Sequence, residues 1–136
     1  MQNADLGRLM LKLEILSQNA CEDFSAAKKN LLTQKDRTLF LISEYDKVSP
    51  TILINKLHIV KSNLALICKQ LNLEKLITSS MDKSDRRIIY YSVTDAGKKY
   101  LDSKLSYIQN NTIACTQDKD FVDSLQKVVD ILSDKF

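Results

Sequence analysis

The chain has very little of what breaks helices. Two glycines and one proline in 136 residues are too few for an all-β protein, which needs turn residues between its strands. They favour long helices instead. Cysteines are also scarce: three, at positions 21, 68 and 115. This odd, widely spaced set makes no disulfide framework and fits a reducing compartment. There is a single histidine, hence no Cys/His cluster, and a structural zinc site is not expected. No apolar run reaches the length of about eighteen residues that a membrane span needs. The first residues, Met1-Gln2-Asn3-Ala4-Asp5, lack a basic region followed by an apolar stretch. No secretory signal is therefore expected, and a cytoplasmic location follows. A glycine-rich phosphate loop, a nucleophile–base pattern and paired carboxylates in a plausible site are all missing. An enzyme is not expected, and no cofactor or metal is called for.

What is present is ordinary in amount and uneven in placement. The chain is 44% hydrophobic and 27% charged, as a soluble globular protein is, and its length suits one domain with a real core. The net charge of +3 says little by itself. Residues 56–104, however, hold ten Lys/Arg against five Asp/Glu, residues 1–55 balance at seven each, and residues 105–136 hold three against five. Positive charge therefore concentrates in one middle segment, as expected where phosphates are contacted, although lysine enrichment also serves plain solubility.

That segment has a recognisable order. Before it, Leu6, Leu9, Leu13, Leu16, Ala20 and Phe24 recur at helical spacing, predicting a helix over about 5–28 with Asp5 as its cap. So long a stripe needs a partner surface, in this chain or in a second copy. Thr33 with Asp36 predicts a helix start, and Leu39, Phe40, Ile42 and Ser43 share a side of a helix running to about Lys47. Ser49-Pro50 is a strong second start signal, for a short helix over 50–57 burying Ile52, Leu53 and Leu57. His58-Ile59-Val60 forms a turn, and Leu64, Ile67, Cys68 and Leu71 then stripe a helix over about 61–74. The β-rich runs 76–79 and 88–93 flank a polar loop, Asp82-Lys83-Ser84-Asp85-Arg86-Arg87, which predicts a hairpin with a charged tip. Thr94-Asp95 caps a further helix carrying Leu101, Leu105 and Ile108, with a weak point at Asn110-Asn111-Thr112. Phe121, Val122, Leu125, Val128, Val129 and Leu132 make 118–135 the cleanest amphipathic helix of all. Short helix, turn, helix, hairpin is the order of a helix-turn-helix followed by a wing, both shaped to sit on duplex DNA.

Residues 48–105 resemble the MarR family of winged helix-turn-helix transcription regulators. The resemblance is carried by Ser49-Pro50 to Leu57, by Lys61-Ser62-Asn63-Leu64 and by Leu71 to Ile77. Asp85-Arg86-Arg87, followed about ten residues later by Val93-Thr94-Asp95-Ala96-Gly97, carries most of it. It implies a mainly α fold with a small β-hairpin. One domain over 1–136 would hold a winged-helix DNA-binding lobe at about 33–97, with dimerisation helices at about 5–28 and 98–136. It implies a homodimer on a pseudo-palindromic double-stranded operator, modulated by a small-molecule effector, with no membrane role. Five positions depart from the family pattern. Lys75 replaces the usual glycine before the wing, His58 the small turn residue, and Val60 the usual cap of the recognition helix. Ala65 and Leu66 stand where polar or arginine side chains often face bases.

A helix in the major groove reads base edges with its N-terminal residues. The core stripe leaves Ser62, Asn63, Ala65, Leu66, Lys69 and Gln70 outward or on the flank. Asn63 and Gln70 suit adenine edges, Ala65 and Leu66 a thymine methyl, and Lys61, Ser62 and Lys69 phosphates. The same residues are also what any solvated helix would show. In the wing, Lys83 and Arg86 add charge. The resemblance implies that Arg87 enters the minor groove, oriented by a salt bridge from Asp85. Cys21 sits where some family members sense oxidants, but Glu22 and Asp23 beside it disfavour a thiolate. Cys68 reads as a small core residue and Cys115 is too isolated to interpret. Tyr45, Tyr100 and Tyr107 could line an effector site, and core packing explains them equally well. A winged-helix module that binds another protein is the alternative function, mildly favoured by the apolar Ala65 and Leu66.

Overall fold

The computed structural model describes residues 6–13, 15, 33–111 and 118–135, with side chains to residue 106 in the longest stretch. Residues 6–13 (α1) are helical, as is Ile15. The remainder of the expected first helix, Leu16, Ala20 and Phe24 included, lies outside the described residues, as do Asp5, Cys21 and Cys115. The chain divides into two units, residues 30–106 and residues 1–29 with 107–136.

In the unit 30–106, α2 (Gln34–Ser43) opens on a full capping box. The Asp36 N–H donates to Thr33 Oγ1 at 3.2 Å, and the Thr33 N–H donates to Asp36 Oδ2 at 3.4 Å. Two of the orphan amides at the helix start are thereby satisfied by each other's side chains. The helix ends at Ser43, not near Lys47 as spacing suggested. The reason is distant in sequence: Val48 must be extended to pair with Tyr91. Their backbones exchange hydrogen bonds of 2.9 and 2.8 Å, and Val48 is buried. Phe40 is also corrected, being 41% exposed while Leu39 and Ile42 are buried.

Helix α3 (Pro50–Leu57) starts where Ser49-Pro50 placed it, although Ser49 makes no capping hydrogen bond. Proline at the first position lacks only an N–H that would be unpaired anyway. Leu53 is fully buried and Leu57 packs on the core as expected, but Ile52 is 38% exposed, a correction to the expected stripe; Ile54 and Ile59 pack on the core in its place. At 8 residues the helix turns only one narrow edge inward. His58 then takes a left-handed conformation, φ 53° and ψ 44°. The following helix, α4 (Lys61–Leu73), meets α3 at a bend of 114°, the geometry of a helix-turn-helix.

Strands β1 (Ile77–Met81) and β2 (Ile89–Val93) pair antiparallel, with Ile77 opposite Val93, Ser79 opposite Tyr91 and Met81 opposite Ile89. The hairpin runs two residues further toward its tip than the run 76–79 suggested. Leu39, Ile42, Val48, Leu53, Leu64, Cys68, Leu71, Leu76, Ile77 and Leu101 form one core under the two helices and the hairpin. The bent pair α3–α4 is apolar enough to resemble a broken membrane span by composition, but Leu53, Leu57, Leu64 and Leu71 serve this core. Among the described residues no single helix is long and apolar enough to cross a membrane.

Helix α5 (Asp95–Asn111) follows, capped by Thr94, whose Oγ1 accepts from the Gly97 N–H at 3.0 Å. Leu101 is buried in the core and Leu105 is half-exposed; the side chain of Ile108 lies outside the described residues. In the other unit, α6 (Lys119–Lys135) buries none of its residues. Phe121, Val122, Leu125, Val128, Val129 and Leu132 all stand between 41% and 49% exposed. The fold is mainly α with a two-stranded wing.

Candidate nucleic-acid interface

The outward surface of α4 is set by its inward one. Leu64, Cys68 and Leu71 are buried, and Ile67 packs beside them. This leaves Ser62, Asn63, Ala65, Leu66, Lys69 and Gln70 exposed, as spacing suggested, and Lys61 exposed with them. One of them is engaged within the protein. Gln70 Nε2 donates to Glu74 Oε1 at 3.2 Å. Glu74 also holds Lys35 at 2.9 Å, and chiefly through that bond its carboxyl lies below the usual range. Gln70 is thereby turned toward the C-terminal end of α4, away from the end that would read bases.

Both ends of α4 are built under constraint. Val60 occupies the N-cap with no side-chain hydrogen bond. At the other end Lys75 has φ 62°. The Leu76 N–H donates to the Leu71 carbonyl and the Lys75 N–H to the Asn72 carbonyl, each at 3.0 Å, which closes the helix as a Schellman motif. This is the place where the family pattern has glycine, and lysine there carries a cost in strain. Thr94 holds the joint from α5. Its hydroxyl donates to the Lys75 carbonyl at 2.8 Å and its N–H to the Leu76 carbonyl at 3.0 Å. A Cβ on Gly97 would lie 2.2 Å from the Leu76 oxygen and 2.7 Å from Val93 Cγ2. The run Val93-Thr94-Asp95-Ala96-Gly97 thus splices α5 onto the C-terminal end of α4, and only glycine fits its last position.

The wing tip is organised by acids. Arg87 Nε and Nη2 donate to Asp85 Oδ1 and Oδ2, each at 3.1 Å, and the Arg87 N–H donates to Oδ1 at 3.0 Å. The Arg87 side chain is nonetheless 90% exposed, and Lys83 and Arg86 are exposed beside it. Asp85 in turn rests on Asp82. Asp82 Oδ2 accepts from the Ser84 hydroxyl at 2.7 Å and from the Ser84 and Asp85 N–H groups at 3.0 Å; Oδ1 accepts from the Tyr90 hydroxyl at 3.3 Å. Lys47 stands 4.6 Å over the Tyr90 ring. Both carboxyls are held below their ordinary range, Asp82 chiefly by the Ser84 hydroxyl and Asp85 chiefly by Arg87. Sequence reasoning missed Asp82, Ser84 and Tyr90. An Asp two residues before a Ser in a polar turn is the pattern of an Asx turn and was the available signal.

Residues considered for other chemistry are mostly structural. Burial pushes the Cys68 thiol up to about 11, partly opposed by the Tyr91 hydroxyl that bonds it. Such a group is a poor nucleophile. The Tyr100 hydroxyl donates to the buried Asp36 carboxylate at 2.7 Å and is itself pushed up to about 12, first by burial and then by Asp36. Tyr45 packs on the core, and the side chain of Tyr107 lies outside the described residues.

Solved structures match this arrangement over nearly the whole chain. MarR from Escherichia coli in its apo form superposes with a TM-score of 0.64 at 15% identity, covering 93% of this chain and 95% of that one. The fold is that of the MarR-type winged-helix regulators. The transcriptional repressor CouR bound to a 23-mer DNA duplex gives 0.66 at 18% identity, covering 98% of each chain. BpsR of Bordetella bronchiseptica, whose DNA binding is regulated by 6-hydroxynicotinic acid, gives 0.61 at 15%, covering 93% and 98%. No family model matches the sequence, and neither does any curated protein sequence. The likeness to MarR-type structures therefore lies in shape, including a Lys75 and a His58 that adopt the backbone of smaller residues.

Proposed function

We propose that this protein is a transcription regulator that binds double-stranded DNA in a sequence-specific manner as a homodimer, α4 in the major groove and the wing in the minor groove. The observation that carries the reading is the Asp85–Arg87 pair. Two parallel hydrogen bonds aim a guanidinium that is 90% exposed. An exposed ion pair contributes only about 0–1 kcal/mol to stability, so folding alone is a weak reason for building one on a second carboxylate, Asp82. A cation held ready for a phosphate-lined groove is a better one. The exposed face of α4 and the positive balance of residues 56–104 support the same reading, as does the neighbour bound to a duplex.

Dimerisation is supported by the half-exposed apolar face of α6 and by Leu6, Leu9 and Leu13 of α1, stripes that a second copy would cover. Two recognition helices would then meet half-sites about one helical turn apart. Regulation by a small molecule is supported by the neighbour whose DNA binding responds to 6-hydroxynicotinic acid. It would act by shifting the dimer between two arrangements. Location in the cytoplasm and the absence of catalysis belong to the same proposal.

The test is fluorescence anisotropy of the purified protein on the DNA upstream of its own coding sequence, at two salt concentrations, against a scrambled duplex. Binding that is tight, selective and steeply weakened by salt is expected. Equal binding to both duplexes would remove sequence specificity. A second reading, a winged-helix module that docks on another protein, is favoured by Leu66 and Leu73, 68% and 69% exposed on α4. Absence of binding at low salt would put that reading first.

A further inference from the structure

The DNA-binding reading leaves open which kind of duplex is read, and the exposed face of α4 addresses this. Side chains on a helix advance by roughly 100° per residue. Leu64, Cys68 and Leu71 are buried and mark the line that faces the core. On that geometry Ser62, Leu66, Lys69 and Leu73 stand along the opposite line, with Asn63 on one flank and Ala65 on the other. Leu66 is therefore central to the leading two turns. It is 68% exposed, an aliphatic side chain surrounded by lysines, a serine and an amide.

The chemistry of this face is one-sided. The commonest base-specific contact is a bidentate basic side chain, usually arginine, on guanine O6 and N7. Residues 61–73 contain no arginine; the basic side chains there are Lys61 and Lys69, which suit phosphates as point charges, and Gln70 is drawn away by Glu74. What the leading turns offer is one carboxamide, matching the N6 and N7 edge of adenine, and two aliphatic groups. The apolar feature of the major groove is the thymine C5 methyl. The wing agrees, since Arg87 is poised for a minor groove and narrow A·T tracts hold the strongest negative potential there. Leu73, the other exposed leucine on this line, lies about two turns further on, so at the leading end the apolar patch is one leucine and one alanine.

We propose, resting on the DNA-binding reading above, that the chain selects A·T-rich duplexes and that Leu66 is its specificity-determining residue, packing on a thymine methyl in each half-site.

The experiment uses the full chain and a pool of duplexes, roughly two helical turns long so that both half-sites fit, with a randomised centre. Bound duplexes are recovered and sequenced. The selected duplex is then rebuilt with deoxyuridine for thymidine, which keeps every hydrogen-bonding edge and removes the C5 methyl. The pool is expected to enrich A·T pairs, and uracil is expected to weaken binding about fourfold for each methyl contacted. Leu66→Ala should bind the thymine duplex more weakly by a similar factor and lose the difference between thymine and uracil. This second step matters because uracil also changes duplex stiffness. An effect through stiffness alone would persist in Leu66→Ala and would overturn the proposal. Enrichment of G·C pairs, or equal affinity for the two duplexes, would overturn it while leaving DNA binding intact. No salt-sensitive binding to any duplex would overturn it together with the reading beneath it, and would point to a protein on Leu66 and Leu73.

Discussion

At the scale of single residues, the most informative positions are those where the backbone asks for a residue the chain lacks. Lys75 holds φ 62° in the closing turn of the recognition helix, and a side chain in that conformation costs about 1–2 kcal/mol. Lys75→Gly should therefore raise stability by roughly 1 kcal/mol, the glycine losing part of the gain to its freer unfolded chain; urea unfolding reads this. Gly97 makes the opposite case. With the Leu76 carbonyl oxygen 2.2 Å from where a Cβ would sit, Gly97→Ala should destabilise by about 1–3 kcal/mol through overpacking. An unchanged midpoint would mean that the splice between α4 and α5 yields freely. Cys68 supplies a pH test. Burial raises its thiol from 9.0 to about 11. Between those values the folded protein keeps a proton that the unfolded chain has released, so stability falls as pH rises through this window. Tyr91, raised from 10.0 to about 12, extends the loss upward in the same direction. Denaturant midpoints measured from about pH 8 to about pH 11 should fall, and Cys68→Ala should remove part of the slope.

At the scale of elements, the wing shows what local sequence reveals and what it hides. Asp85 and Arg87 were legible because a family pattern runs through them, and the salt bridge between them has the expected partners. Asp82, which carries the turn beneath them, was overlooked although three of its four acceptor contacts are local, to Ser84 and Asp85; only the Tyr90 contact crosses the hairpin. The helices divide in the same way. The starts at Thr33 and Ser49 depend on neighbours within a turn and could be read, as could the stripe Leu64, Cys68 and Leu71. The stop of α2 depends on Val48 reaching Tyr91, 43 residues along the chain, and spacing says nothing of such pairs. Phe40 and Ile52 failed for a related reason: periodicity finds an apolar side without saying how much of it the core covers. Asp82→Ala should leave the fold intact, since its carboxyl is solvent-facing. It should speed hydrogen exchange at the Ser84 and Asp85 amides and weaken DNA binding by freeing Asp85. Arg87→Ala should weaken it more, by about tenfold or beyond, with helicity unchanged. If Asp82→Ala accelerates exchange and leaves affinity untouched, the order of the tip does not serve binding.

At the scale of the molecule, α6 sets the question. Six of its apolar residues lie on one face and remain 41–49% exposed, a pattern that one unit of this chain leaves uncovered and that a second copy would bury. Covering the exposed half of such a side chain stabilises by about 1 kcal/mol, so six per chain, doubled across two chains, add up to a sum that can offset the entropy of association. The consequence for DNA is larger than for stability. Two lobes joined in the proposed dimer would bind their half-sites at a high effective concentration, strengthening overall affinity by a factor of about 10²–10⁴ over one lobe. Leu125→Glu places a charge in the middle of the face. Sedimentation should then show a monomer, the winged-helix core over residues 39–101 should remain folded, and affinity for the operator should drop by about two orders of magnitude or more. The salt dependence separates the causes. A monomer holding half the phosphate contacts loses about half the slope of log K against log salt, whereas a dimer with a damaged lobe keeps most of it. A stable Leu125→Glu monomer with undiminished affinity would show that one lobe reads its site alone, and the pseudo-palindromic operator would then have no physical basis.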